Sequence, residues 1–323
     1  LCGLLGASLL VGCGGENENE KETVKKKVGI IQLIQHDALD QANKGFIDGL
    51  AEKGYKDGEN IEIEQQNASG KQDTAQQIAG QFVSAKKDLI FAIATPTAQA
   101  CYNATKDIPI VFSAVTNPVN DGLAKDWKSS DCNTTGTSDM ANIDEQLALL
   151  KEVLPNAKTL GVVYTTSETN SVNQVNELEL LAAKYNLKIK KIGVANINEI
   201  NQVLSNAMGD IDVLYAPTDN NVAASYELVA QIALKANKPV IGAEPAVVEK
   251  GGLLSKGIDY YELGKMAGYK AAEILDGKNP QDIEIETMKE LAITVNTDVA
   301  KKLGITIPQN ILDSAKKVTG GVK

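Results

Sequence analysis

Very few kinds of side chain could carry chemistry in this chain. There is one histidine, His36, and no arginine, so all 32 basic residues are lysine. A lone histidine can act as a base, but with no histidine or cysteine partner near it in sequence it forms no metal pair. Lining a cleft or lying in a surface loop is its plainer role. Asp219, Glu244 and Asp259 fall at expected strand ends, where two carboxylates could work as acid and base. Spacing along the sequence does not give the separation such a pair needs, and a binding or solvated role suits them as well. There is no Gly-x-Gly-x-x-Gly after a strand, no Gly-x-x-x-x-Gly-Lys-Ser/Thr and no Gly-x-Ser-x-Gly. No catalytic, cofactor or metal site is therefore expected, and without a guanidinium fork there is no bidentate grip on phosphate or carboxylate.

What recurs instead is small, hydroxylic and uncharged: Ala94-Thr95-Pro96-Thr97, Ser113-Ala114-Val115-Thr116-Asn117-Pro118, and Thr165-Thr166-Ser167-Glu168-Thr169-Asn170-Ser171. Hydroxyls beside the free N–H groups of a helix start can hold an anion without any arginine. Each loop alone could be ordinary helix capping; three at equivalent positions argue for a site.

The elements that must place these loops are readable from hydrophobic pattern. The runs Val28-Ile34, Leu89-Ala94, Ile108-Ala114, Leu160-Tyr164, Ile211-Ala216 and Pro239-Ala243 are β-branched and apolar on both faces, as buried parallel strands are. Between them, Ala42-Phe46-Leu50 and Val172-Val175-Leu178-Ala182-Tyr185 repeat every three or four residues and predict helices. Alternating strands and helices give a doubly wound α/β architecture. A weak internal repeat pairs Val28-Gly29-Ile30-Ile31 with Leu160-Gly161-Val162-Val163, Asp88-Leu89-Ile90-Phe91 with Asp212-Val213-Leu214-Tyr215, and Ile108-Pro109-Ile110-Val111 with Lys238-Pro239-Val240-Ile241. Two Rossmann-like lobes in series, with mostly parallel sheets, would turn the carboxyl ends of their strands toward a shared cleft. The segment Tyr260–Leu275, before Gly277 and Pro280, predicts a helix returning to the first lobe, with Leu291–Val295 and the tail going back to the second. Several crossings make a hinge, and closure around a ligand is the expected motion.

Composition sets outer limits. A chain of 323 residues, 43% apolar, is long enough for two cores, and a net charge of −10 with interspersed signs argues against nucleic acid as partner. At the start, Leu1 to Gly12 is apolar, uncharged and too short to span a bilayer, and leads into Leu10-Val11-Gly12-Cys13. With no basic segment before it, this stretch is expected to be the remainder of a signal peptide. Leu-Val-Gly-Cys resembles a bacterial lipobox, which would make Cys13 the lipidated N-terminus. The polar run from Gly14 to Lys27 then reads as a tether, and the protein is expected outside the cell membrane, held by its lipid alone. Of the remaining cysteines, Cys101 and Cys132 could form a disulfide there or stay as two buried thiols; their spacing does not decide.

The strand-end motifs, together with Gly136-Thr137-Ser138-Asp139, Ala216-Pro217-Thr218-Asp219-Asn220 and Gly257-Ile258-Asp259-Tyr260-Tyr261-Glu262-Leu263-Gly264, resemble a known family from about Val28 to the C-terminal region. It is the ABC transporter substrate-binding proteins of the type I periplasmic-binding-protein fold, associated with tryptophan, tyrosine or phenylalanine uptake. The resemblance implies a binding protein, not an enzyme, that delivers an amino acid to a permease driven by a separate ATPase, as a monomer in the family manner. It implies that Thr95, Thr97, Ser113 and Thr116 hold the ligand carboxylate, that Asp219, Glu244 and Asp259 receive the ammonium, and that Gln35, His36, Ser138, Ser167 and Asn170 line the rest. A zwitterion buried in a cleft needs both poles hydrogen-bonded. Two positions depart from the family pattern: Tyr164-Thr165-Thr166 stands where many members have a small residue and a proline, and Glu244 lies in a variable segment.

With one Trp (Trp127), four Phe and nine Tyr, the chain lacks paired tryptophans for stacking on sugars. An aromatic amino acid is favoured, tyrosine first because the loops offer spare polar groups for a phenol. A surface adhesin or ligand sensor on the same fold, or a carrier of a sugar or other small solute, are the alternatives. The expected division is a signal remnant at 1–12, a lipidated tether at 13–27, a first lobe of 28–139 with 257–283, and a second lobe of 140–256 with 284–323.

Overall fold

The computed structural model describes residues 25–140 and 142–321. The expected signal remnant, Cys13 and most of the tether lie outside them. Thirteen strands build two sheets. The first contains β1 (Lys26–Gln32), β2 (Ile61–Asn67), β3 (Leu89–Ile93), β4 (Ile110–Ser113), β5 (Thr134–Ser138) and the short β11 (Glu286–Thr287). The second contains β6 (Thr159–Thr165), β7 (Lys188–Val194), β8 (Val213–Ala216), β9 (Val240–Gly242), β10 (Leu254–Gly257), β12 (Ala292–Asn296) and β13 (Lys316–Val318). Spatial order is β2-β1-β3-β4-β5-β11 in one and β7-β6-β8-β9-β10-β12-β13 in the other, so each begins with the same five-strand arrangement. All pairings are parallel except β10 with β12. This is the α/β architecture of the type I periplasmic binding proteins.

The internal repeat has a physical basis at each matched position. A side chain at Gly29 would come within 2.7 Å of Phe82, and one at Gly161 within 2.8 Å of Ile211, so both central strands need glycine for the close approach of a neighbouring side chain. Asp88 accepts from the backbone N–H of Lys27 at 2.7 Å, and Asp212 from those of Lys158 and Thr159 at 2.8 Å, pinning the starts of β1 and β6 alike. The prolines match too: Ile90 N–H donates to Pro109 O at 2.9 Å and Leu214 N–H to Pro239 O at 3.0 Å.

Each sheet is sandwiched between helices over its own core. Val28, Phe46, Phe82, Phe91 and Phe112 anchor the first, with Phe46 and Phe91 stacked at 3.7 Å. Leu147, Leu160, Tyr215 and Leu254, with Val163, Leu214 and Val247 on the other face, anchor the second. The helix Tyr260–Leu275 belongs to the first core through Leu263, Ala267 and Ala271. Its partner is the helix Asp37–Glu52, and the two backbones meet at glycines: a Cβ on Gly45 would lie 2.0 Å from Tyr261 O, and one on Gly264 2.0 Å from Ala42 O. The chain passes between lobes after β5, after β10 and after β11. Because β11 pairs with β5, with Glu286 opposite Thr137, the first lobe's second segment runs to Thr287, past the boundary expected at 283.

Cys101 and Cys132 are free, the first buried and the second half-buried, so of the two thiol states the unbridged one is present. Burial pushes the Cys101 thiol up to about 12, which keeps it protonated and inert. Among the described residues no helix is long and apolar enough to cross a membrane.

Candidate functional site

The carboxyl ends of the two sheets face each other, and the loops there close over a small cavity. From the first lobe it is lined by His36 after β1, Leu39, Ala114 after β4 and Asp139 after β5. From the second come Asn170 after β6, Thr218 and Asn220 after β8, and Glu244 after β9, while Tyr260 enters at the N-terminus of the returning helix. Only about 10 Å³ is open to the centres of water-sized spheres, the room of a single water. The lobes are therefore closed, and a solute must enter with them apart. Glu244 and Tyr260 also border an open groove of about 690 Å³ outside the cavity, so these two side chains form the partition between the spaces.

The backbone is held in unusual shapes at two strand ends. Ala94 has φ of 88° and Ala114 of 57°, in the left-handed region where side chains are rarely tolerated. Such strain is kept where the surrounding fold imposes it, and here it turns the chain sharply out of β3 and β4 into the cleft loops. Asp139 accepts from Thr116 Oγ1 and from the Tyr260 hydroxyl, each at 2.9 Å. Thr116 Oγ1 also lies 3.2 Å from Thr218 Oγ1 of the other lobe, and Tyr260 lies 3.5 Å from Glu244 Oε1. Behind the second-lobe wall, Glu168 accepts from the Asn220 backbone N–H at 3.1 Å and from the side-chain amides of Asn220, Asn170 and Asn221 at 2.5, 3.2 and 3.2 Å.

Charge in the cleft is one-sided. The lining residues include two carboxylates and no lysine. Burial pushes Asp139 up to about 6, and burial with the nearby Asp139 charge pushes Glu244 up to about 8. Burial, then Asp219, does the same to Glu168, also to about 8. His36 moves the other way: burial lowers its imidazole to about 4, against the pull of Asn220, Asp40 and Asp37, so it is neutral. Several polar atoms here are buried without a partner, namely both nitrogens of His36, Asn170 Oδ1, Glu244 Oε2, Thr95 Oγ1 and the Tyr226 hydroxyl. Buried polar atoms are normally paired. A closed cavity with anionic walls and unspent donors and acceptors suits a small polar molecule bearing a positive charge. Among the described residues no group of three or more His, Cys, Asp and Glu could hold a metal.

The residues singled out from sequence divide accordingly. His36, Asn170 and Glu244 line the cavity, Thr116 bridges to its wall, and Thr95 brings an unpartnered hydroxyl to a helix start. Ser138 supports from behind, donating to Thr116 O at 2.8 Å. Thr97 turns inward and donates to Ile93 O at 2.7 Å, and Ser113 is sealed in β4, accepting from Thr137 at 3.0 Å. Gln35 and Ser167 are exposed outside the cavity. Two of the three acids expected to meet an ammonium are committed elsewhere. Asp219 already accepts from Thr165 N–H and Oγ1, Ser171 Oγ and Val222 N–H at 2.5, 2.8, 2.7 and 2.9 Å, which makes it the brace of the second-lobe loops. Asp259 is exposed and caps the returning helix through Tyr261 and Glu262 N–H at 2.9 and 3.2 Å. The residues that reasoning from sequence passed over are their neighbours Asp139, Tyr260, Thr218 and Asn220, all inside motifs it had marked. Asp139 ends the motif Gly136-Thr137-Ser138-Asp139, and only the structure shows that it directly follows the last residue of a strand.

A two-lobed body closed over a polar, anionic cavity is the build of a solute-binding protein. The family model described as ABC transporter substrate binding protein matches residues 27–319, and the chain belongs to that family of binding proteins, not enzymes. A protein named "Tyrosine-binding protein" from Clostridioides difficile strain R20291 is 47% identical over 311 residues, covering 94% of this chain and 90% of its own. The structure of an ABC domain from Streptococcus pneumonia in complex with L-Trp is similar at 36% identity and TM-score 0.88, over 91% of this chain and 99% of its own. The ligand-free, open structure of a substrate binding protein with adhesive properties from Clostridium difficile covers 91% and 99%; it is more identical, at 48%, yet its TM-score is 0.70. Since identity and structural agreement run in opposite directions, the difference lies in how the lobes are arranged, and the present chain has the closed arrangement.

Proposed function

We propose that this chain captures a free amino acid, aromatic and tyrosine first, between its lobes and hands it to an ABC permease driven by a separate ATPase. The observation that carries this reading is a cavity whose lining holds two carboxylates, Asp139 and Glu244, and no lysine, with His36 nitrogens, Asn170 Oδ1 and Glu244 Oε2 left without partners. An ammonium answers the carboxylates, and a carboxylate answers donors such as Thr95 Oγ1 at the start of the helix Thr95–Ala104. The choice of tyrosine is supported by the 47% identical relative of that name and by the L-Trp complex. The anchored form on the outer face of the bacterial cell membrane, with lipid on Cys13 as the only membrane attachment, and a monomeric state complete the proposal.

Thermal unfolding of the full chain against the twenty amino acids tests the binding. A ligand of the folded state at a hundred times its Kd adds about 2.7 kcal/mol, which raises the midpoint clearly. A rise confined to tyrosine, tryptophan or phenylalanine supports the proposal; no rise with any amino acid ends it. Labelled palmitate entering wild type but not Cys13→Ser tests the anchor. A second reading, attachment to surfaces, is favoured by one relative being described as having adhesive properties. It predicts that deletion lowers attachment and leaves tyrosine uptake intact.

A further inference from the structure

The hydrogen bonds across the closed cleft have a direction, and the direction assigns a proton. Thr116 has one hydroxyl proton and gives it to Asp139 Oδ1 at 2.9 Å. Its contact with Thr218 Oγ1 at 3.2 Å must then be filled by the Thr218 proton. Thr218 in turn accepts from Gln174 Nε2. From the other side Tyr260 spends its only proton on Asp139 Oδ2 at 2.9 Å. Glu244 Oε1, 3.5 Å from the same hydroxyl oxygen, therefore faces a lone pair. When the lobes close without a solute, that contact is attractive only if Glu244 itself carries a proton and donates it. The whole chain of bonds then converges on one ionised carboxylate, Asp139, from the second lobe through Thr218 and Thr116 and from the hinge through Tyr260.

We infer that Asp139, Tyr260 and Glu244 form a clasp that takes one positive charge, closing the lobes either on a proton at Glu244 or on the ammonium of the solute, so that the two compete. This rests on the amino-acid reading above. It assigns Asp139 and Tyr260 as residues that select a cationic group, and gives Tyr260 the positioning role of joining the two carboxylates. An ammonium brings three donors, enough for both acids, and leaves Tyr260 free to keep its bond to Asp139.

The groups around Glu244 are consistent with this. It meets Asp139 from the first lobe, Tyr260 from the returning helix and Tyr226 from the helix Tyr226–Lys235, with the negative charge of Asp219 behind. His36 across the cavity is neutral, and no lysine lines the space. No positive side chain offsets its charge there; burial and the charge of Asp139 outweigh the help of the Tyr226 and Tyr260 hydroxyls and raise Glu244 to about 8.

The test follows lobe closure without solute. The full chain is stripped of solute by denaturation and refolding, and its radius of gyration is measured by small-angle scattering from pH 8.5 to 7, a window that spans the Glu244 value of about 8 and stays above the Asp139 value of about 6. Wild type is expected to shrink as pH falls, toward the size that saturating tyrosine produces at pH 8. Glu244→Gln, whose amide donates to Tyr260 as the protonated acid would, is expected to be small throughout and insensitive to pH. Tyr260→Phe is expected to lose the acid-driven shrinkage while retaining Glu244. In parallel, tyrosine affinity of wild type is expected to fall with pH by up to about tenfold per unit, one proton's worth, and that of Glu244→Gln to stay flat. A wild-type radius unchanged between pH 8.5 and 7, or a Glu244→Gln variant that titrates like wild type, overturns the clasp. Acid-driven closure with no response to any amino acid would keep the clasp and remove the amino-acid reading instead.

Discussion

Thr116 and Thr218, 102 residues apart and on different lobes, stand hydroxyl to hydroxyl at 3.2 Å. Both are buried, so the contact exists only while the lobes are together. Removing it isolates what the closed state owes to a single bond.

Thr218→Val keeps the volume and removes the donor. It leaves the Thr116 oxygen and the Gln174 amide short of a partner, a loss of about 1–2 kcal/mol. Solute affinity is expected to drop roughly five- to thirtyfold, measured by titration calorimetry. An affinity within twofold of wild type would show that the contact adds nothing to closure.

At the rim, Lys250 of the second lobe reaches Asp37 of the first at 2.9 Å, with both side chains about half exposed, at 45% and 50%. Pairs of this kind contribute little and are screened by salt. Lys250→Gln should therefore change tyrosine affinity by less than about threefold at physiological salt, and the difference should vanish at high salt in the same calorimetric experiment.

Glycine serves opposite ends in two helices. Gly264→Ala drives a Cβ to 2.0 Å from Ala42 O and should cost about 3 kcal/mol or more of stability. At Gly80, exposed within the helix Gln72–Ser84, a Cβ would meet nothing within 4 Å, and Gly80→Ala should add about 0.5–1 kcal/mol. Urea unfolding of both variants checks the pair.

His36 gives a signed pH dependence. Its folded pKa, about 4, lies below the unfolded 6.5, so between these values the unfolded chain binds the proton and the folded chain does not. The stability it confers is fully present above pH 6.5 and is lost as pH falls toward 4, by at most about 3 kcal/mol. The difference in unfolding free energy between wild type and His36→Gln should shrink over that window and level off below it. A difference constant with pH would place His36 in water in the folded state.

The sheet cores were legible because buried parallel strands announce themselves as apolar runs, and all six runs, Leu89–Ala94 and Pro239–Ala243 among them, coincide with strands to within two residues at each end. The strands β2 and β7 were not, because they lie at sheet edges and are half exposed: Ile61-Glu62-Ile63-Glu64-Gln65-Gln66-Asn67 reads as polar. Nor was β5, Thr134-Thr135-Gly136-Thr137-Ser138, which is fully buried yet has no apolar side chain; its hydroxyls are satisfied by Leu123 O, Ile283 O, Leu263 O and Thr116 O. The site was legible as a set of loops and not as side chains. Whether Asp219 or Asp139 faces the cavity depends on which one the loop's own N–H groups consume, and that appears only when the loops are folded against one another.

The glycine-fused helices have a consequence for how this protein moves. Because Gly45, Gly49, Gly264 and Gly268 bring the backbones of Asp37–Glu52 and Tyr260–Leu275 into contact, the returning helix has no freedom to slide. Tyr260, at its tip, is carried by the first lobe as firmly as Asp139 is. The protein therefore works as a vice with one fixed jaw, and what the moving jaw brings to the workpiece is Asn170, Thr218, Asn220 and Glu244. What is held could be retuned by altering the moving jaw alone, with the fixed jaw of Asp139 and Tyr260 left as it is.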